Sequence, residues 1–214
     1  MNGHFSDCGR LDGCACEKRS YWFVFSLTLA ALVIEALGSW WSQSLALKSD
    51  ALHVFVDLLS IVVSIYVANR ALALALGEDH PRIRRIRGNG GYVNAILLAL
   101  IGCWILFECA ERMFAPRQVF TFSMILAAVI GAYLNYRSHK VLARLGHGHS
   151  HITNKALDLH VLSDLWQSVA VIAAALAIWL TGEVLFDLLI SAAVAFWMFL
   201  QARNLWKSSK KYSQ

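Results

Sequence analysis

The chain has 214 residues, of which 58% are hydrophobic and 15% are charged, and its formal net charge is +5. A soluble domain is normally about 45–50% apolar and about 25% charged, so this composition excludes an ordinary soluble domain and indicates an integral membrane protein. Apolar segments long enough to cross a hydrocarbon core about 30 Å thick follow in chain order at residues 20–41, 45–69, 91–113, 119–137, 156–181 and 184–206. Because lipid offers the backbone no hydrogen bonds, we predict an all-α, polytopic membrane protein with six transmembrane helices.

The basic residues predict the orientation of these helices. With six spans, both termini lie on one side of the membrane, together with the loops 70–90 and 138–155. That side carries every lysine and arginine except Lys48, Arg112 and Arg117. The positive-inside rule therefore predicts that both termini are cytoplasmic, and we expect a multi-pass protein of a bacterial inner membrane. Because the arginines lie in short loops without interleaved aromatic residues, we expect no nucleic-acid partner.

The same reading divides the chain into three regions. Residues 1–19 form a cytoplasmic tail that contains cysteine and histidine, and residues 20–206 form the six-helix transmembrane domain. Residues 207–214 form a short basic cytoplasmic tail, and we expect no C-terminal soluble domain.

Two of the apolar segments contain a histidine followed four residues later by an aspartate. His53 and Asp57 occur in "ALHVFVD", and His160 and Asp164 occur in "DLHVLSD". On a helix, positions i and i+4 share one face, so each pair projects together. Ionisable groups inside a membrane are costly and usually face a partner or a water-filled path. A single pair is equally well explained by a structural hydrogen bond, but two pairs of the same pattern favour a shared functional site.

This combination of side chains predicts a site for a divalent metal ion. Two imidazole nitrogens and two carboxylate oxygens suit tetrahedral Zn²⁺, and they also suit Cd²⁺ and Co²⁺, whereas Mg²⁺ and Ca²⁺ prefer more oxygen ligands. Two carboxylates, two neutral imidazoles and Zn²⁺ sum to zero charge. When the metal leaves, two protons restore that balance, so metal and protons compete for the same groups. The pattern therefore predicts exchange of a metal ion for protons.

Three stretches resemble spans of the cation diffusion facilitator family, particularly its zinc-transporter-like branch: "SLALKSDALHVFVD" (44–57), "YVNAILLALIGCWILFECAERMF" (92–114) and "ALDLHVLSDLWQSVAVIAAALAIWLTGEVLFDLLIS" (156–191). The resemblance implies a homodimeric, proton-coupled Zn²⁺ exporter, which is a secondary transporter and not an enzyme, with no organic cofactor. Alternating access fits two motifs on antiparallel spans. The resemblance implies that the transport site consists of His53, Asp57, His160 and Asp164.

Two further groups of side chains are candidates for metal capture, since imidazoles and thiolates both bind zinc. For each group the alternative is a solvated polar linker or a leader without bound metal. The first group lies in the loop between predicted spans four and five and the second in the N-terminal tail: His147, His149 and His151, and Cys8, Cys14 and Cys16.

Several acidic residues lie toward the predicted outer ends of the spans. Asp50 precedes the first motif histidine by about one helical turn, and we expect it to line the release path. Glu35 and Asp187 are interpreted as caps or ion-pair partners. The same interpretation pairs two acidic residues of the third span with its arginine: Glu108 and Glu111 with Arg112.

Two other functions are compatible with these motifs. A non-transporting membrane sensor would bind metal without moving it, and the tail with cysteine and histidine favours that alternative. An intramembrane metallohydrolase needs three protein ligands and an open position for water. Four ligands would close such a site, and the sequence contains no H-E-x-x-H motif.

Overall fold

The computed structural model describes residues 15–73, 81–146 and 152–213, and within those ranges the chain forms six α-helices. An all-helical architecture confirms the predicted fold class. The helices are α1 (Ala15–Ser42), α2 (Leu45–Ala73), α3 (Pro81–Phe114), α4 (Thr121–Gly146), α5 (Ile152–Thr181) and α6 (Leu185–Ser213). The predicted N-terminal tail, residues 1–19, ends in helix, because α1 starts at Ala15. The predicted C-terminal tail, residues 207–214, is mostly helical, because α6 continues to Ser213.

Four helical segments of the described chain are long and apolar enough to cross a membrane: Trp22–Ser42, Gly88–Phe114, His160–Thr181 and Leu185–Lys210. The surface of the bundle is rich in exposed large apolar side chains, among them Trp40, Phe107 and Trp179. An apolar surface of this extent is typical of a protein surrounded by lipid.

Helix α2 lies at the centre of the bundle, in contact with α1, α3, α5 and α6. Its side chains take part in two separate apolar cores. Leu45 and Val56 pack with residues of α3 and α6, whereas Leu47 packs with residues of α4 and α5. The helix that carries the first His–Asp pair is therefore held from both sides.

Three loops meet at one end of the bundle, which we call the outer end; the opposite end is the inner end. The backbone N–H of Phe120 donates to the carbonyl of Ser42 at 2.9 Å, which joins the α3–α4 loop to the end of α1. Asp187 of α6 accepts hydrogen bonds from the backbone N–H groups of Leu45 (2.7 Å) and Ala46 (3.1 Å). A carboxylate from α6 thus caps the first turn of α2, whose N–H groups have no partners within the helix.

Candidate metal site

Helices α2 and α5 bring the four predicted ligands together. His53 Nε2 lies 3.3 Å from Asp57 Oδ2 and 4.0 Å from Asp164 Oδ1. His160 Nε2 lies 3.1 Å from Asp57 Oδ2 and 3.8 Å from Asp164 Oδ2. The two imidazole rings are 6.3 Å apart between centroids. The sequence alone left open whether the two pairs lie at the same depth, and the structure joins them in one cluster, which we call the tetrad.

The spacing of the tetrad matches the size of a small divalent cation. In a tetrahedral zinc site with bonds of about 2.0–2.2 Å, neighbouring ligand atoms are about 3.3 Å apart. The nitrogen–oxygen distances of the tetrad run from 3.1 to 4.0 Å, which brackets that value. Ligand atoms of His53, Asp57 and Asp164 all lie within 4.8 Å of one another, and His160 approaches both carboxylates. His160 lies outside that group of three, so a four-coordinate shell requires side-chain movement.

Several polar atoms of the tetrad lack hydrogen bonds, although they are buried. Among the described residues, His53 Nε2, Asp57 Oδ2 and Asp164 Oδ1 have no hydrogen-bond partner of acceptable geometry. A buried polar group without a partner costs about 1–3 kcal/mol, and more if it is charged. A cation or protons at this position would remove that cost, so the arrangement is suited to binding one or the other.

Exposure within the tetrad increases toward the inner end. The side chains of His53 and Asp164 are 0% and 2% exposed, whereas those of Asp57 and His160 are 12% and 29% exposed. Helix α2 starts at the outer end and α5 finishes there, so Asp57 and His160 are the inner members of their pairs. The two more exposed members of the tetrad are therefore those nearer the inner end of the bundle.

A buried polar layer covers the outer side of the tetrad. Ser168 Oγ donates to the backbone carbonyl of Asp164 at 3.1 Å, and it lies 3.4 Å from Asp50 Oδ2. The side-chain amide of Asn135 lies 3.5 Å from the same hydroxyl oxygen. Asp50, expected on the release path, is 1% exposed in this conformation and lies between the tetrad and the outer end. The sequence analysis did not identify Asn135, although an amide inside an apolar segment was a usable signal.

Nearer the outer end, a second cluster contains both signs of charge; we call its four members, Lys48, Glu108, Arg112 and Asp187, the outer cluster. Lys48 Nζ donates to Glu108 Oε2 at 2.7 Å, and Arg112 Nη2 donates to Glu108 Oε1 at 2.8 Å. Arg112 Nη1 lies 3.8 Å from Asp187 Oδ2 and donates to the backbone carbonyl of Gln43 at 2.6 Å. These contacts join α2, α3 and α6.

The outer contacts test the pairings interpreted from sequence. Asp187 is a cap, as expected, and Glu108 pairs with Arg112. The pairing of Glu111 with Arg112 is wrong: Glu111 pairs with Arg117 at 3.1 Å. The reason is helical geometry, since residues four apart share a face and adjacent residues do not. The interpretation of Glu35 as a cap or ion-pair partner finds no contact in the described residues.

The remaining candidate ligands stay predictions. Cys8, Cys14, His147, His149 and His151 lie outside the residues that the structure describes. Cys16 belongs to α1, but the described side chains of that helix begin at Trp22.

The helical fold and the histidine–aspartate site together identify the class of this chain: it is a multi-helix membrane protein with a site suited to a metal ion. The family model described as the cation efflux transmembrane domain matches residues 21–212, which include α2, α3, α4 and α5 in full. The chain is a member of the cation efflux family, and the resemblance predicted from its motifs is confirmed. It is a multi-pass membrane protein, and its bacterial relatives support a bacterial inner membrane.

Curated relatives align over most of the chain. It is 33% identical over 189 residues to zinc transporter ZitB of Yersinia pestis, which covers 86% of this chain and 59% of that protein. It is 32% identical over 199 residues to zinc transporter ZitB of Escherichia coli, covering 90% and 61%. It is 30% identical over 193 residues to the cadmium, cobalt and zinc/H⁺–K⁺ antiporter of Bacillus subtilis, covering 90% and 62%. The chain thus spans about three fifths of the length of these relatives.

Proposed function

We propose that this protein exports Zn²⁺, and also Cd²⁺ or Co²⁺, from the cytoplasm in exchange for protons, with the tetrad as the transport site. The observation that carries the proposal is the convergence of two histidines and two aspartates from α2 and α5. The names of the relatives, which include zinc transporters and a cadmium, cobalt and zinc antiporter, support the identity of the cargo.

Charge balance explains why the exchange partner is the proton. The tetrad contains two carboxylates, so a bound divalent cation brings it to zero net charge. Departure of the cation leaves two negative charges in a poorly solvated site, at a cost of several kcal/mol. Binding of about two protons to histidine or aspartate restores neutrality, and those protons must leave before metal binds again. One site therefore alternates between metal and protons.

The accessibility of the tetrad supports alternating access. The inner members Asp57 and His160 are partly exposed, while Asp50 is buried on the outer side. Beyond Asp50, the outer cluster ties α2 to α3 and α6. If the inner end faces the cytoplasm, as the basic residues predict, this conformation loads cargo. Release would require the outer contacts of α2 to separate while the inner end closes.

We also propose that the protein acts as a homodimer in the lipid bilayer. The proposal rests on the family resemblance and on the extensive apolar surface of the helices. Analytical ultracentrifugation in detergent tests it, since a dimer sediments at twice the protein mass of a monomer.

Zinc flux into proteoliposomes that contain a pH-sensitive dye tests the transport function. The variant Asp164→Asn removes one tetrad carboxylate with little change of shape, and Glu111→Gln is a matched control in the exposed Glu111–Arg117 pair. We expect zinc to enter while the internal pH rises, and we expect both signals to be lost only in Asp164→Asn. Zinc binding without flux would leave a metal sensor. Flux that persists in Asp164→Asn would contradict the assignment of the tetrad.

A further inference from the structure

Glu35 is a buried carboxylate on a helix that carries no member of the tetrad. It lies on α1, is 0% exposed, and neither of its oxygens has a hydrogen-bond partner among the described residues. Gly131 of α4 makes room for it, because a Cβ atom at Gly131 would collide with Glu35 Oε1. The packing of α1 against α4 therefore accommodates this side chain in the interior.

The charged groups around Glu35 are acidic. Its electrostatic partners in the described part of the chain are Asp50 of α2 and Asp164 of α5, while α4 presents Gly131 at this position. An ionised Glu35 would thus face two carboxylates without a cation. Removing an ion from water costs several kcal/mol unless it is paired, and such groups take up a proton instead. Burial and surroundings both favour a neutral Glu35.

The hydroxyl of Ser168 indicates where a second proton can reside. Ser168 has one hydrogen, which it donates to the backbone carbonyl of Asp164 at 3.1 Å. Ser168 Oγ also lies 3.4 Å from Asp50 Oδ2, and the same hydroxyl hydrogen serves both contacts unless Asp50 carries a proton of its own. A protonated Asp50 satisfies that contact, whereas an ionised Asp50 must share the only hydroxyl hydrogen.

Asp50 lies between the tetrad and the outer end, and Glu35 interacts with it electrostatically from the neighbouring helix α1. Glu35 precedes the last residue of α1 by seven positions, and Asp50 follows the first residue of α2 by five. At 1.5 Å per residue these separations are about 10 Å and about 8 Å along their helices, whereas His53 lies about 12 Å from the start of α2. Ions that cross from the outer end to the tetrad pass the level of Asp50.

We propose that Glu35 and Asp50 form a proton-binding site separate from the tetrad, which holds a proton on Glu35 and relays protons from the outer end to the tetrad. In each step the Glu35 carboxyl group gives up its proton and becomes a carboxylate, which the outer aqueous phase then reprotonates. The relay rests on the proposed exchange of metal for protons. The assignment of a proton to Glu35 is independent of that exchange, because it follows from burial and from the surrounding charges.

Infrared spectroscopy of the purified, zinc-free protein tests the proton on Glu35. A protonated carboxyl group has a C=O stretch that is separate from carboxylate bands and that shifts in D₂O. We expect such a band in the wild type, a clear loss of its intensity in Glu35→Gln, and no change in Glu111→Gln. A band that is missing from the wild type, or that is unchanged in Glu35→Gln, would overturn the proposal. This readout does not depend on transport.

Flux and binding measurements on the same variants test the relay. We expect Glu35→Gln to slow zinc-driven proton movement in proteoliposomes by at least about tenfold. This minimum is set below the rate contribution of about 10²–10⁴-fold that is typical of a positioned proton-transfer group. Its zinc affinity at fixed pH should stay within about threefold of the wild type, because the tetrad is intact. Wild-type proton movement in Glu35→Gln would overturn the relay. A second bound zinc ion that Glu35→Gln abolishes would show a metal station instead of a proton site.

Discussion

The tetrad and the outer cluster are both largely buried groups of ionisable side chains, yet they differ in what balances their charge. The outer cluster contains two basic residues, Lys48 and Arg112, and two acidic residues, Glu108 and Asp187. It is neutral by itself, and it also caps the N-terminus of α2. The tetrad has two carboxylates and no permanently charged base, so its balance depends on an ion from outside.

This difference separates a structural polar cluster from a functional one. A self-neutralised cluster is stable without a ligand, and its removal should affect folding more than metal binding. A cluster with excess negative charge is stable only with metal or protons, and its removal should affect metal binding more than folding. Each of the following predictions challenges that separation.

The largest expected effect concerns the tetrad. Asp57→Ala removes the carboxylate that lies nearest to both histidines. We expect zinc affinity to fall by at least about 100-fold, since loss of even an indirect support of a metal ligand costs about 10–100-fold. Isothermal titration calorimetry measures this loss, with Glu111→Gln as control. An affinity within tenfold of the wild type would show that Asp57 is not a ligand.

A smaller effect, of a different kind, is expected in the outer cluster. Asp187→Asn removes the charge that caps α2 and faces Arg112. We expect a loss of about 3 kcal/mol in unfolding free energy, since breaking a buried ion pair leaves its partner uncompensated. Denaturant unfolding in detergent measures the loss. Zinc affinity should remain within a few-fold of the wild-type value. If Asp187→Asn instead lost zinc binding as strongly as Asp57→Ala and kept normal stability, the distinction between the two clusters would be wrong.

The pH dependence of zinc binding should also distinguish the clusters. Protons occupy the same histidine nitrogens as the metal, so zinc affinity should fall as the pH drops, by up to about tenfold per pH unit for each histidine that takes a proton. Calorimetric titrations between neutral and mildly acidic pH measure the slope. Asp187→Asn should keep that slope, and His160→Ala should reduce it. A zinc affinity independent of pH would contradict competition with protons.

The smallest effect is expected at the exposed pair of Glu111 and Arg117. Both side chains are about half exposed, at 50% and 48%. Exposed ion pairs contribute about 0–1 kcal/mol, so Arg117→Ala should change the unfolding free energy by less than about 0.5 kcal/mol. Thermal unfolding in detergent is the measurement. A loss of unfolding free energy above about 1 kcal/mol would contradict the expectation that this exposed ion pair contributes little to stability.

Hydropathy predicted the outer ends of the helices better than the inner ends. At the outer end, each apolar segment agrees with its helix within two residues; α2, for example, begins at Leu45 in both. At the inner end the helices continue four to ten residues further, and α3 begins at Pro81 instead of residue 91. Apolar runs report only the membrane-embedded part of a helix. A helix that continues into water gives other signals, such as proline at its first position.

The candidate site divides in the same way between local and long-range information. Each His–Asp pair was predictable because four-residue spacing on one helix is a local property. The contact of His160 with Asp57, the cap that Asp187 places on α2 and the unpartnered burial of Glu35 depend on how distant helices pack. No spacing in the sequence encodes those distances. The excess of carboxylates in the interior was nevertheless visible, and it pointed to a cation.

The number of protons released per zinc ion bound tests the central claim most directly. Calorimetric titration of the purified protein in buffers of different protonation enthalpy gives both the metal stoichiometry and the proton count. We predict one zinc ion at the tetrad and release of about two protons at neutral pH, with both lost in Asp164→Asn. Zinc binding without proton release, or full binding by Asp164→Asn, would contradict an exchange of metal for protons at this site.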